Sequence, residues 1–336
     1  MTLTFEQVTD AEGAARWHAI EARCVPIDHP GLLADPLQEI QMLLTVAHRA
    51  ERPLLFLARD GAHDVGNALV WLPLLDNLEN ASVFFTVDLE HRRRGIGAKF
   101  ARFLIESVRA EGRGRAIFYS PASLDGTDDG APSVLARRLG AELAFHGVRR
   151  QLIVGDVDDT ALGALLADEV GARADAYELV TWIDRIPDLL VDDGARLMGR
   201  MTTDAPMGDL AWEPEVWDAS RYREKEAEAL ALGRRRVAAG AIERSTGRLV
   251  AYTDIGVSMV QPVVAYQWDT IVDPEHRGHR LGLLVKVANL RQLRRESPAT
   301  VSMQTWNAES NEHMVAINDQ LGFRPVEYSR QFQLAL

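Results

Sequence analysis

The chain has 336 residues, 47% of them apolar and 26% charged, with a formal net charge of −12. That length fits two domains, each large enough to bury its own core, and the composition is that of a globular protein. The acidic balance argues against general nucleic-acid binding, which favours a basic surface, and no apolar stretch approaches the roughly 20 residues of a membrane span.

In chain order, Leu3 to Val8 reads as a strand, and Asp10 as the N-cap of a helix running to about Cys24. Val25-Pro-Ile-Asp-His-Pro-Gly31 reads as a loop from its prolines and glycine, and a helix over about Pro36 to Ala50 follows. Three strands come next, Pro53–Arg59, Val65–Leu74 and Ala81–Val87. Phe100, Phe103, Leu104 and Val108 then mark the buried face of a helix. Arg115–Tyr119 is a strand, Pro121–Pro132 an Asp- and Gly-rich loop, and a short helix ends at Leu139-Gly140 before strands near Glu142–Phe145 and Val148–Val154.

The second half repeats this order. It gives a strand at Tyr177–Ile183, a helix at Pro187–Met198, a loop around Pro206 and a charged helix over Pro214–Leu232. A meander follows, Arg235–Arg244, Leu249–Val257 and Val263–Val272, then a helix to Arg295 and a strand to Trp306. The last helix, Ser310–Leu321, ends at a C-cap Gly322, and two short strands fill Arg324–Leu334. The implied domains are 1–155 and 176–336, joined by a small-residue segment at 156–175 that reads as a connecting helix.

One turn occurs twice. Asp88-Leu-Glu-His-Arg-Arg-Arg-Gly-Ile-Gly97 returns as Asp273-Pro-Glu-His-Arg-Gly-His-Arg-Leu-Gly282, each time between a strand and an amphipathic helix. Repetition at half the chain length means two copies of one domain, since solenoid repeats are far shorter. A Gly/Arg-rich turn opening a helix has a chemical use: exposed backbone N–H groups and the helix dipole hold phosphate. The histidines in these turns show no Cys/His spacing of a zinc site, so no metal is expected.

The element order and the doubled turn resemble the GNAT superfamily of acyl-CoA-dependent N-acyltransferases, and in particular its tandem members of the mycothiol synthase type. The resemblance implies an α/β (α+β) fold of two tandem domains, each a mixed, mostly antiparallel twisted sheet flanked by helices. It implies that the turns are acyl-CoA sites of the pattern Gln/Arg-x-x-Gly-x-Gly/Ala. Val87, Arg92, Arg93, Arg94, Gly95, Ile96 and Gly97 fit completely, while Val272, Arg277, Gly278, His279, Arg280, Leu281 and Gly282 fit except that Arg280 replaces the middle glycine. That arginine counts against the second turn unless its backbone keeps an allowed conformation.

In many family members the base is an acid three positions before the strand's final valine. Here that position is Asp269 in the second half and Phe84 in the first. Desolvation beside Trp268 would suit such a base. The resemblance also gives Asn307 and Asn311 as grips on the pantetheine arm. Asn318 occupies the usual position of a thiolate-protonating tyrosine, which leaves Tyr328 or water as the acid. Asp204, Asp209 and Glu213, around the Pro206 loop, are candidates to receive the acceptor amine. The expectation is acetyl transfer from acetyl-CoA to a primary amine of a small molecule, with chemistry in the C-terminal half and the N-terminal half either binding acyl-CoA without turnover or serving as a platform. The chain is expected to be a cytoplasmic monomer or homodimer with no nucleic-acid, membrane or metal partner. The alternative is a non-catalytic acyl-CoA or ligand-binding protein.

Overall fold

The computed structural model describes residues 2–125 and 130–336, so part of the predicted Pro121–Pro132 loop lies outside the described residues. The chain forms two compact units. The first comprises Met1–Val148, Met207–Glu213 and Val326–Leu336, the second Arg149–Pro206 and Pro214–Pro325. The units are therefore not continuous in sequence: the last strand of the chain belongs with the first half.

The first unit begins with β1 (Leu3–Val8), α1 (Ala11–Asp28) and α2 (Leu37–Leu43). A meander of β2 (Glu51–Asp60), β3 (His63–Pro73) and β4 (Asn80–Val87) leads into α3 (Ile96–Ala110), β5 (Arg115–Ala122), α4 (Gly130–Arg138) and β6 (Glu142–Ile153), whose end passes into the second unit. The second unit adds α5 (Asp159–Glu169), β7 (Tyr177–Ile183), α6 (Val191–Met198), α7 (Met201–Asp204) and α8 (Ala219–Ala231). It continues with β8 (Arg234–Glu243), β9 (Leu249–Ser258), β10 (Val264–Val272), α9 (Leu281–Glu296), β11 (Ser302–Ala308) and α10 (Glu312–Leu321), and the chain ends in β12 (Arg324–Ala335). Strand order is β1-β2-β3-β4-β5-β12 in the first unit and β11-β10-β9-β8-β7 in the second. Pairing is antiparallel except for β4 with β5 and β10 with β11, which run parallel. The mixed, mostly antiparallel fold of each half is as the sequence implied.

Helices cover both faces of each sheet. In the second unit Ala251, Ile255 and Val257 enter the core beneath α9, while Leu249 and Tyr252 enter the core beneath α6 and α8. A strand buried on both faces loses the apolar–polar alternation of a half-exposed one, and β9 is accordingly buried along almost its whole length. In the first unit Phe100, Leu104 and Val108 of α3 pack on the sheet as their spacing required.

Several boundaries differ from the sequence reading. The two short strands expected at each C-terminal end are single long strands, β6 and β12. His146-Gly147 lies between the two expected strands, but Gly147 is there for close approach: a Cβ on it would lie 2.6 Å from the Ser329 carbonyl oxygen of β12. α1 runs through Pro26 to Asp28, so the proline sits inside its last turn rather than in a loop. α8 starts only at Asp218, whose carboxylate caps the Arg221 N–H at 2.8 Å. The connecting segment does form a helix, α5, with Leu162 in the second unit's core.

α9 carries an unusual buried polar row. Asn289 donates to the Val237 carbonyl at 2.9 Å and Gln292 to that of Trp182 at 3.0 Å, tying the helix to β8 and β7. Lys286, also buried, has its ammonium 5.8 Å from the Phe323 ring centroid and no carboxylate partner among the described residues. Burial alone pushes this amine down from 10.5 to about 7. Between about 7 and the unfolded value the unfolded chain holds the extra proton, so Lys286 makes stability rise as pH increases through that window. We expect Lys286→Met to raise the melting temperature at pH 7 by several degrees and to flatten its rise between pH 7 and 9, measured by calorimetry.

Candidate active site

Each repeated turn is held by two crossed arginine–aspartate pairs. In the first unit Arg23 of α1 pairs with Asp88 at the turn's start. Arg92 sends two nitrogens to Asp28, at 2.8 and 2.6 Å, and its Nε to the Val87 carbonyl at 2.9 Å. The second unit repeats the device with Arg196 on Asp273, and with Arg277 on Asp204 at 2.9 Å and on the Val272 carbonyl at 3.4 Å. Arg92 and Arg277 therefore brace the turn against the end of its strand. The carboxylate of Asp28 keeps the Arg92 guanidinium charged, raising it above its usual range. Asp204, a candidate for the acceptor amine, is committed to Arg277 and to Arg200 at 3.1 Å.

So braced, the two turns adopt the same backbone path. Arg92 and Arg277 have φ,ψ of −67°,160° and −69°,160°; Gly95 and Arg280, at the helix N-caps, have 79°,3° and 59°,21°. Each turn places two residues in the left-handed region: Arg93 and Gly95 in the first, Gly278 and Arg280 in the second. Each thus has one glycine and one arginine there, in opposite order. Arg280 is no larger a departure than Arg93, and it keeps the glycine-like backbone while its guanidinium pairs with Glu169 of α5. Among the described residues no hydrogen bond reaches the N–H groups of Gly95, Ile96 and Gly97, or of Arg280, Leu281 and Gly282. Those donors open α3 and α9, the arrangement that suits a pyrophosphate.

Beside each turn the two parallel strands part. β10 pairs with β11 only from Val264 to Tyr266, and β4 with β5 only from Asn80 to Val83, although all four strands continue beyond. In β10 the pairing with β9 also slips between Gln267 and Thr270, a bulge of the kind that re-aims side chains at functional sites. Asp269 lies in that bulge. Its N–H donates to Asp254 at 3.0 Å, and the buried Asp254 is in turn bound by the buried Arg236. Its Oδ2 meets Lys225 Nζ of α8 at 3.2 Å, and its Oδ1 has no partner among the described residues. The sequence suggested an apolar surround for Asp269; the structure gives it a lysine. Tyr222 and Tyr252 pack nearby, both phenols pushed up by burial.

The corresponding place in the first unit is aromatic. Phe84 stacks on Tyr119 at 4.1 Å between ring centroids, and burial pushes that phenol up. The residue at the position of Asp269 is thus a phenylalanine, with no carboxylate of its own.

The remaining candidates scatter. Asn307 accepts from Asn318 Nδ2 at 2.6 Å, and Asn311 caps α10 by accepting from the Met314 N–H at 3.2 Å. Tyr328 lies on β12 in the first unit, opposite Ala122, whereas Asp269 is in the second. Asp209 and Glu213 fall in the 207–213 segment of the first unit, where their backbones bond to Ala144 and Asn77. The three proposed acceptor acids thus do not share one unit. Sequence reasoning missed Lys225, Asp254 and Arg236. One signal was available: the chain has only three lysines, Lys99, Lys225 and Lys286.

Neither a protein-family model nor a curated protein matches the chain. Solved structures do. A tandem GNAT protein from the clavulanic acid biosynthesis pathway aligns over 99% of this chain and 98% of its own, with 28% identity and a TM-score of 0.81. The chain is a tandem GNAT-fold protein. A GCN5-related N-acetyltransferase from Sphaerobacter thermophilus has the same fold at 14% identity and TM-score 0.62, covering 99% of this chain and 95% of that one. The glucosamine N-acetyltransferase region of a fungal multi-domain GH3 β-N-acetylglucosaminidase aligns at TM-score 0.67 and 14% identity, over 99% of this chain and 38% of that chain.

The left-handed positions make the GNAT turns testable. Gly95 has open space where a Cβ would be, so its constraint is conformational alone. Gly95→Ala and Gly278→Ala should each cost about 1–2 kcal/mol in urea unfolding. A change within ~0.3 kcal/mol would show that these positions do not hold the left-handed conformation.

Proposed function

We propose that this protein is an acyl-CoA-dependent N-acyltransferase that moves acetyl from acetyl-CoA to a primary amine of a small molecule, by direct attack in a ternary complex within the second unit. The observation that carries the reading is the placement of Asp269 in the β10 bulge, where β10 and β11 part beside the turn that opens α9. The tandem GNAT neighbour at 28% identity supports it from outside the chain. The free N–H groups of Arg280, Leu281 and Gly282 would hold the pyrophosphate, and the parting strands would admit the pantetheine arm.

The chemistry follows from what acyl transfer requires. The acceptor arrives as an ammonium, and Asp269 takes one proton to expose the nitrogen lone pair. Nitrogen then bonds to the thioester carbonyl carbon, the C–S bond breaks with its electron pair on sulfur, and the second nitrogen proton leaves to solvent or sulfur. Lys225, bound to Oδ2, holds the carboxylate in place and leaves Oδ1 to receive the proton. A thiol with a pKa of about 8.5 leaves readily as thiolate, so the amide at Asn318 is no obstacle and water suffices as the acid. In the first unit, Phe84 on Tyr119 supplies no base, and that unit is proposed to bind acyl-CoA without turnover or to serve as a platform.

We expect Asp269→Asn to lower kcat with acetyl-CoA and an amine about 10²- to 10⁴-fold. Unchanged turnover across pH would remove Asp269 from the base role.

A further inference from the structure

Three near-parallel rings stand beside Asp269. Tyr266 and Trp268 of β10 and Trp306 of β11 lie with centroids 5.6, 6.1 and 6.3 Å apart and planes within 17° of one another. Trp268 is 49% exposed. Gly256 of β9 fixes where it lies: a Cβ there would fall 2.6 Å from the indole nitrogen, so only glycine lets the ring rest over that strand. The ladder ends at the bulge, one residue from a carboxylate with one oxygen unpartnered. A flat apolar surface edged by the carboxylate oxygen that Lys225 leaves unpartnered is complementary to an amine attached to a ring.

We propose that the acceptor is an amine borne on a ring, whose flat apolar face stacks on Trp268 while its nitrogen lies at Asp269 Oδ1. This rests on the reading that the second unit transfers an acyl group, and it narrows the substrate class. Aromatic rings and sugar rings share the required chemistry, since both present a flat C–H or π face to an indole. A linear alkylamine offers the charge without the face. The transfer itself is as above: the ring amine gains the C–N bond, coenzyme A leaves as the thiol, and one proton is released.

The test uses phenethylamine, glucosamine and hexylamine on the full chain, read two ways: binding by ligand-observed NMR, and kcat/KM with acetyl-CoA. At least one ring amine should bind and react about tenfold better than hexylamine. Which of the two does so tells an aromatic from a sugar acceptor. Trp268→Ala should erase that preference, Trp268→Phe should retain most of it, and Gly256→Ala, which displaces the indole, should weaken it with Trp268 intact. Equal behaviour of all three amines overturns the proposal. So does a Trp268→Ala variant that lowers all three alike, or that changes only the KM for acetyl-CoA, which would assign the rings to the acyl chain. Ring preference in binding with no transfer to any amine would sink the acyltransferase reading and leave the ring site standing. Transfer without ring preference would do the reverse.

Discussion

The crossed arginine–aspartate clamp is the constraint on which each unit's site depends. A left-handed residue at a helix N-cap is costly unless surrounding structure over-determines it, and here the turn is pinned at its start and its middle. Arg23 on Asp88 and Arg196 on Asp273 fix where the turn leaves its strand. Arg92 on Asp28 and Arg277 on Asp204 hold the middle of the turn, and the same two arginines tie it to the strand's last carbonyl. With the turn so held, the helix N–H groups must face outward together, whichever of the two left-handed positions happens to be glycine. This is why Arg93 and Arg280 are tolerated, and why the arginines that look like phosphate ligands in the sequence act largely as braces.

What distinguishes the units is the strand beside the turn. In the second unit the bulge in β10 brings out Asp269, which the buried Arg236–Asp254 pair supports through its backbone N–H and which Lys225 meets from α8. An ion pair buried as deeply as Arg236–Asp254 contributes little net stability against its desolvation, and its retention fits a positioning role. In the first unit the same stretch is occupied by Phe84 and Tyr119, which pack rather than titrate. Both units keep the same turn, while a carboxylate at this strand position stands only in the second.

Much of this was legible in the sequence. The doubled turn gave the two-fold organisation, and the apolar spacing of Phe100, Leu104 and Val108 gave the buried face of α3. Counting back from Val272 led to Asp269. What could not be read were facts of partnership between distant residues. Asp204 carries no sign that Arg277 will claim it, and Asn311 none that it will cap its own helix. Tyr328 and the 207–213 segment belong to the first unit against their position in the chain, because β12 pairs with β5 and the segment's backbone bonds to Ala144 and Asn77. Arg280 misleads differently, since a side chain suggests an ordinary backbone where tertiary clamping has imposed a left-handed one.

Whether chemistry belongs to the second unit is decided by single-turnover transfer from acetyl-CoA to an amine in Gly97→Glu and Gly282→Glu. A glutamate at either helix start adds a negative charge among the N–H groups proposed to hold the pyrophosphate. Gly282→Glu is expected to abolish transfer while Gly97→Glu, both variants folded to the same extent by circular dichroism, retains it. Transfer lost in Gly97→Glu and kept in Gly282→Glu would contradict the assignment and move the reaction to the first unit.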